Sequence, residues 1–170
     1  MSEKIKDLLG KIPLTVESYW ALRGRNKPWS AHYELENLKE VLPKAVDDVL
    51  KYQRKADHPR KICVFSTLHY WIEQSMLVAL GLAGHAHQVV FAWLPYAEWD
   101  KEINLFDLRR QDLYTQKVLK PASQVMRIDS LLSASLSTDK KPSLTPELQK
   151  IVDQVSDYDT QYTLQIEETD

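Results

Sequence analysis

Apolar and polar positions are most clearly ordered between Lys61 and Pro95, KICVFSTLHYWIEQSMLVALGLAGHAHQVVFAWLP. Lys61–Ser66 is a short apolar run rich in β-favouring residues, set off by the breaker Pro59. From Leu68 the period changes. Trp71, Ile72, Ser75, Met76, Ala79, Leu80 and Ala83 recur at three- and four-residue steps, the spacing of a helix face. Gly84 is the expected left-handed residue closing that helix. Gln88–Leu94 is a second apolar strand, stopped by Pro95. Strand, crossover helix and strand make the βαβ unit of a parallel sheet, expected to be buried on both faces.

Around this centre the pattern predicts helices. Residues 4–12 present Ile5, Leu8, Leu9 and Ile12 as one face of a short amphipathic helix. Residues 13–28 read as an irregular or partly helical link, with Arg23, Arg25 and Lys27 between Trp20 and Trp29. Such a loop normally plugs its tryptophans into the core, although its cations suit a phosphate or an acidic partner. Ser30 stands as an N-cap for a helix over roughly 31–55, striped by Leu35, Leu38, Leu42, Val46 and Val49 and kinked or divided at Pro43. A further helix is expected over about 103–120, ending at Pro121. Residues 124–129 are the candidate third strand. After a Ser/Thr/Pro/Lys-rich loop at 133–146, Thr145 caps a helix begun by Pro146.

The fold class is therefore α/β: a small Rossmann-like parallel sheet, with strands at 61–66, 88–94 and 124–129, flanked by helices. Residues 1–58 form a helical N-terminal extension packed on a core spanning 59–170, all one domain. Composition changes this picture little. The 170 residues are 44% hydrophobic and 27% charged with net charge −2, enough for one core and without the basic footprint of a nucleic-acid binder. The single cysteine, Cys63, reads as a core residue and fits a reducing, cytoplasmic setting. The charged N-terminus is no signal peptide, and no apolar run approaches the roughly 18 residues needed to cross a bilayer.

Glycine is the informative scarcity. Only four occur, none of them between Ile62 and Tyr70, so the first strand–helix turn lacks the glycines of a dinucleotide fingerprint or a P-loop. No nicotinamide, flavin or ATP cofactor is expected. His85 and His87 lack partners at metal-ligand spacing and belong to a helix C-terminus, where histidine normally bonds terminal carbonyls. No metal is expected.

Ligands of open α/β sheets bind outside the carboxyl ends of the strands. That rule selects Ser66, Thr67 and His69 after the first strand, and Tyr96, Glu98, Trp99 and Asp100 after the second. His69 is the candidate base for a hydroxyl, since histidine as a residue type ordinarily changes charge near neutral pH, and Glu73 one turn later is placed to orient it. The bland alternative makes His69 a helix-terminal residue and Glu73 a surface carboxylate. Arg109 and Arg110 beside Asp107 are a candidate anion clamp or, more ordinarily, a surface ion pair.

The run GLAGHAHQVVFAWLP after KICVFSTLHYWIEQSMLVAL resembles the opening of the N-terminal half of two-Rossmann-domain (GT-B type) glycosyltransferases. LPYAEWDKEINLFDLRRQDLY and the closing DTQYTLQIEE resemble N-terminal segments of bacterial glycosyltransferase-like proteins of capsule polysaccharide biosynthesis. The resemblance covers about residues 60–130 and the tail. It implies a half that faces a glycan acceptor, with a base just after the first strand, where His69 stands. It also implies a nucleotide-sugar half of well over a hundred further residues, as a missing C-terminal domain or a partner. Without that half, these 170 residues are not expected to transfer a sugar. The other reading is a non-catalytic Rossmann-like binding or assembly module acting through a protein partner.

Overall fold

A computed structural model describes residues 3–24, 33–54, 57–97 and 103–133, together with the isolated positions 146, 150, 153 and 154. The chain divides into two compact units, Met1–Ser137 and Thr138–Asp170. In the second unit the four described positions are helical, in keeping with the helix expected from Pro146; Thr145 and the residues meant to face inward lie outside the described ones.

The first unit runs α1 (Glu3–Lys11), α2 (Thr15–Tyr19), a π-type turn (Trp20–Gly24), α3 (Glu36–Tyr52), β1 (Lys61–Leu68), α4 (His69–Gly84) and β2 (Gln88–Tyr96). It continues through α5 (Leu105–Leu119), a 3-10 turn (Lys120–Gln124) and β3 (Arg127–Ser130). The sheet is parallel throughout, in the order β1-β2-β3. Among the described residues, no helix is long and apolar enough to cross a membrane.

Both crossovers step in the same direction along the sheet, and parallel crossovers are almost always right-handed, so α4 and α5 share a face. The packing agrees. Val89, Phe91 and Trp93 of β2 form one cluster with Ile72 and Met76 of α4, Leu38, Leu42 and Val46 of α3, and Tyr114 and Val118 of α5. Each large side chain so buried contributes about 1.5–3 kcal/mol. The register carries Val64, Phe91 and Ile128 across this inner face, and Cys63, Val90 and Arg127 across the outer one.

Burial on both faces is the expectation that fails. β1 is an edge strand whose outer face is open: Cys63 is exposed, and Phe65 is 52% exposed. An apolar strand reads alike whether one face or two is covered, so the core assignment of Cys63 is corrected to a surface thiol.

Local details differ as well. α3 begins at Glu36 rather than near 31, and the proposed cap Ser30 lies outside the described residues. Helix α3 passes through Pro43 undivided. The third strand starts at Arg127, because Pro121 opens a 3-10 turn that uses up 120–124. The left-handed residue after α4 is Ala86 (φ 59°), not Gly84. Ala86 N–H donates to the Ala83 carbonyl and His87 N–H to the Leu82 carbonyl, the paired bonds of a Schellman cap. His85 Nδ1 bonds the Gly81 carbonyl (2.8 Å), whereas His87 Nδ1 accepts from Arg60 N–H (3.3 Å).

Candidate functional site

The carboxyl ends of β1 and β2 gather Ser66, Thr67, His69 and Tyr96. Pairing there shifts register: Ser66 faces Trp93 and Leu68 faces Tyr96, so β2 carries one extra residue in the stretch that contains Pro95. Such bulges bend a strand end and re-aim its side chains. His69 is the first residue of α4 and is half-buried. Its Nδ1 lies 3.3 Å from the Ala97 carbonyl oxygen. A carbonyl only accepts, so Nδ1 carries a proton, and in the neutral ring Nε2 is then the acceptor. The imidazole is thus held by a main-chain carbonyl after β2, and Glu73 stays half-buried one turn along α4. Trp99 and Asp100 lie outside the described residues, as does Glu98.

Behind His69 stands a polar layer that sequence reasoning missed. The Tyr33 ring packs on the imidazole at 5.9 Å between centroids. Thr115 donates to the Gln111 carbonyl (2.9 Å), so the Tyr33 hydroxyl is the donor in its 2.6 Å bond to Thr115 Oγ1. Burial pushes the Tyr33 hydroxyl well above the usual phenol range, and it stays protonated. Gln111 Nε2 donates to the Pro95 carbonyl (2.6 Å) and holds the end of β2 to α5. Two buried polar atoms of this half of the sheet, Ser66 Oγ and Gln111 Oε1, have no hydrogen-bond partner. The available signal was polar residues four apart, Gln111 with Thr115 and Asp112 with Gln116, inside an otherwise amphipathic helix.

A second constellation lies at the end of β3. Asp112, 3% exposed, accepts from Ser130 Oγ (2.5 Å), Ser133 Oγ (2.7 Å) and Gln116 Nε2 (2.8 Å). The Trp93 indole faces the same carboxylate without closing a hydrogen bond of good geometry. Burial raises the Asp112 pKa above its ordinary value, and the hydroxyl and amide donors pull it part of the way back. Ser130 Oγ also accepts from Ser133 N–H and starts the helical turn at 131–133. A cleft of about 880 Å³ opens beside this cluster, between α5 and β3, with Trp20, Lys117, Lys120 and Arg127 among its walls.

Arg109 and Arg110 lie away from the strand ends. Arg109 donates to the Gly10 and Ile12 carbonyls (2.7 and 3.1 Å) and to both carboxylate oxygens of Glu17. Arg110 pairs with Asp107 (3.3 Å) and covers the Tyr19 ring. Buried Asp107 also takes Lys6 Nζ (2.8 Å) and makes reciprocal bonds with the α5 cap, Asn104. These groups clamp α1 and α2 onto α5. Their charges are paired within the fold, where they serve as an internal fastening. Comparison with models of protein families, with curated proteins and with solved structures finds no match.

Proposed function

We propose that the chain is the acceptor-side half of a glycosyltransferase-like protein, in which His69 takes the proton from an acceptor hydroxyl. One observation supports this reading above the others: the Nδ1 bond to the Ala97 carbonyl selects, in the neutral ring, the tautomer whose Nε2 is the acceptor, at the carboxyl ends of β1 and β2. As the acceptor oxygen bonds to the anomeric carbon and the bond to the leaving phosphate breaks, Nε2 accepts the hydroxyl proton. The nucleotide-sugar donor is held by a further domain or chain, because β1 leads into α4 without a glycine-rich phosphate loop.

The intact mass of the native polypeptide is the first test. A mass well above 19.8 kDa, or a co-purifying nucleotide-sugar-binding chain, supports the reading. In that native protein His69→Ala is expected to lower turnover by about 10²–10⁴-fold with an unchanged melting temperature. Undiminished turnover removes His69 from the chemistry, and a native mass of 19.8 kDa without such a partner removes the reading itself.

The open outer face of β1 favours a second reading, a binding or assembly module. Parallel sheets are ordinarily covered on both sides, so an exposed Phe65 on a parallel edge strand suits a surface that works when docked.

A further inference from the structure

Three features adjoin the β1 edge, Phe65 on the outer face of the sheet and α4 on the inner one. First, among the described residues nothing pairs with the outer edge of β1, and Ile62–Leu68 contains neither charge nor proline to guard it. Second, Phe65 on that strand is 52% exposed. Third, α4 carries one acidic residue, Glu73, and no Lys or Arg, and its outward side exposes Trp71, Leu77 and Val78 (49%, 54% and 59%) beside Gln74.

We propose that this flank is the interface of a two-fold dimer, in which β1 pairs antiparallel with β1 of a second copy and the two α4 helices pack together. Spacing points to a second copy rather than to a loose strand. α4 rests on both β1 and β2, so its axis projects about midway between them. With strands about 4.8 Å apart, a two-fold axis half a spacing beyond β1 sets the two α4 axes about 10 Å apart, near the separation at which helices pack. A lone added strand would cover the edge and leave the apolar side of α4 bare.

The charge pattern is self-compatible too. Lys61 is the only charged residue of β1. In an antiparallel pair centred on Val64 it faces Thr67 of the second copy, while Cys63 faces Phe65, so no like charges oppose each other. The dimer buries the apolar stripe of α4 and closes a six-stranded sheet with no β1 edge. This inference stands apart from the chemistry assigned to His69.

Sedimentation equilibrium of the full chain tests it. The wild type is expected at twice the 19.8 kDa chain mass, and Phe65→Lys and, separately, Val78→Glu at the single-chain mass with unchanged far-UV circular dichroism. Both side chains are more than half exposed, so each change spares the core. A single-chain mass for the wild type at the highest attainable concentration overturns the dimer, and so does a dimer that survives both substitutions. His69→Ala is expected to leave the mass unchanged, which separates failure here from failure of the catalytic reading.

Discussion

Asp112 offers the sharpest test of the fold's energetics, because two substitutions there should act in opposite directions. Asp112→Ala removes the acceptor shared by Ser130, Ser133 and Gln116. Bonds to a charged group contribute about 1.5–3 kcal/mol each, but removing a buried carboxylate also recovers several kcal/mol of desolvation, leaving a net loss of about 2–3 kcal/mol. Asp112→Asn keeps the shape and part of the accepting capacity while removing the buried charge. At pH 7 it is expected to match or exceed the wild type, within about 1 kcal/mol.

The pH dependence carries the sign. Burial raises the folded pKa of Asp112 above the unfolded value. Below the unfolded value both states hold the proton, and the contribution to stability is complete. As pH rises toward the raised folded value, the unfolded chain has released its proton while the folded one keeps it, so stability falls, by at most about 1.4 kcal/mol per pH unit for this one proton. Above the folded value the curve is flat. Urea unfolding followed by tryptophan fluorescence measures this directly, since Trp93 adjoins the carboxylate. The difference between wild type and Asp112→Asn, taken from pH 4 to 7, cancels the other carboxylates. A wild type that gains stability over Asp112→Asn as pH rises would falsify the reasoning, because the three donors would then outweigh burial.

Two further outcomes follow from the backbone. A Cβ at Gly10 would sit 2.5 Å from Phe106 N and 2.8 Å from Leu105 C, both main-chain atoms that cannot yield as a side chain does. Gly10→Ala is therefore expected to lift α1 from α5 and cost about 1–3 kcal/mol, read as faster hydrogen exchange in α1; unchanged protection would mean that the close approach is not required. Ala86→Gly relieves a left-handed residue at the end of α4 and is expected to raise stability by about 1 kcal/mol in the same urea assay, with a loss of stability counting against the Schellman cap.

What the sequence determined by itself was the periodic part of the chain. β1, α4 and β2 show in the change from a continuous apolar run to a three-to-four spacing and back, because strand and helix repeat differently. The amphipathic α1, the interior of α3 and most of α5 follow for the same reason, and so does the parallel βαβ order. The gathering of residues at the carboxyl ends of the strands was legible through topology alone, which is how His69 was reached.

Contacts between residues far apart in the chain decided the rest. Asp112 meets Ser130 and Ser133, Arg109 meets Glu17, and Tyr33 meets both Thr115 and His69; no local spacing encodes those meetings. Ala86 takes the left-handed position because it is the residue at which the paired cap bonds close, whereas glycine preference had pointed two residues earlier. Cys63 and Phe65 lie on the surface because both crossovers run the same way and stack α4 and α5 on one face. An apolar side chain records only its preference for burial. Which surface covers it is settled by the path of the whole chain, and on the outer face of β1 that path leaves the surface open.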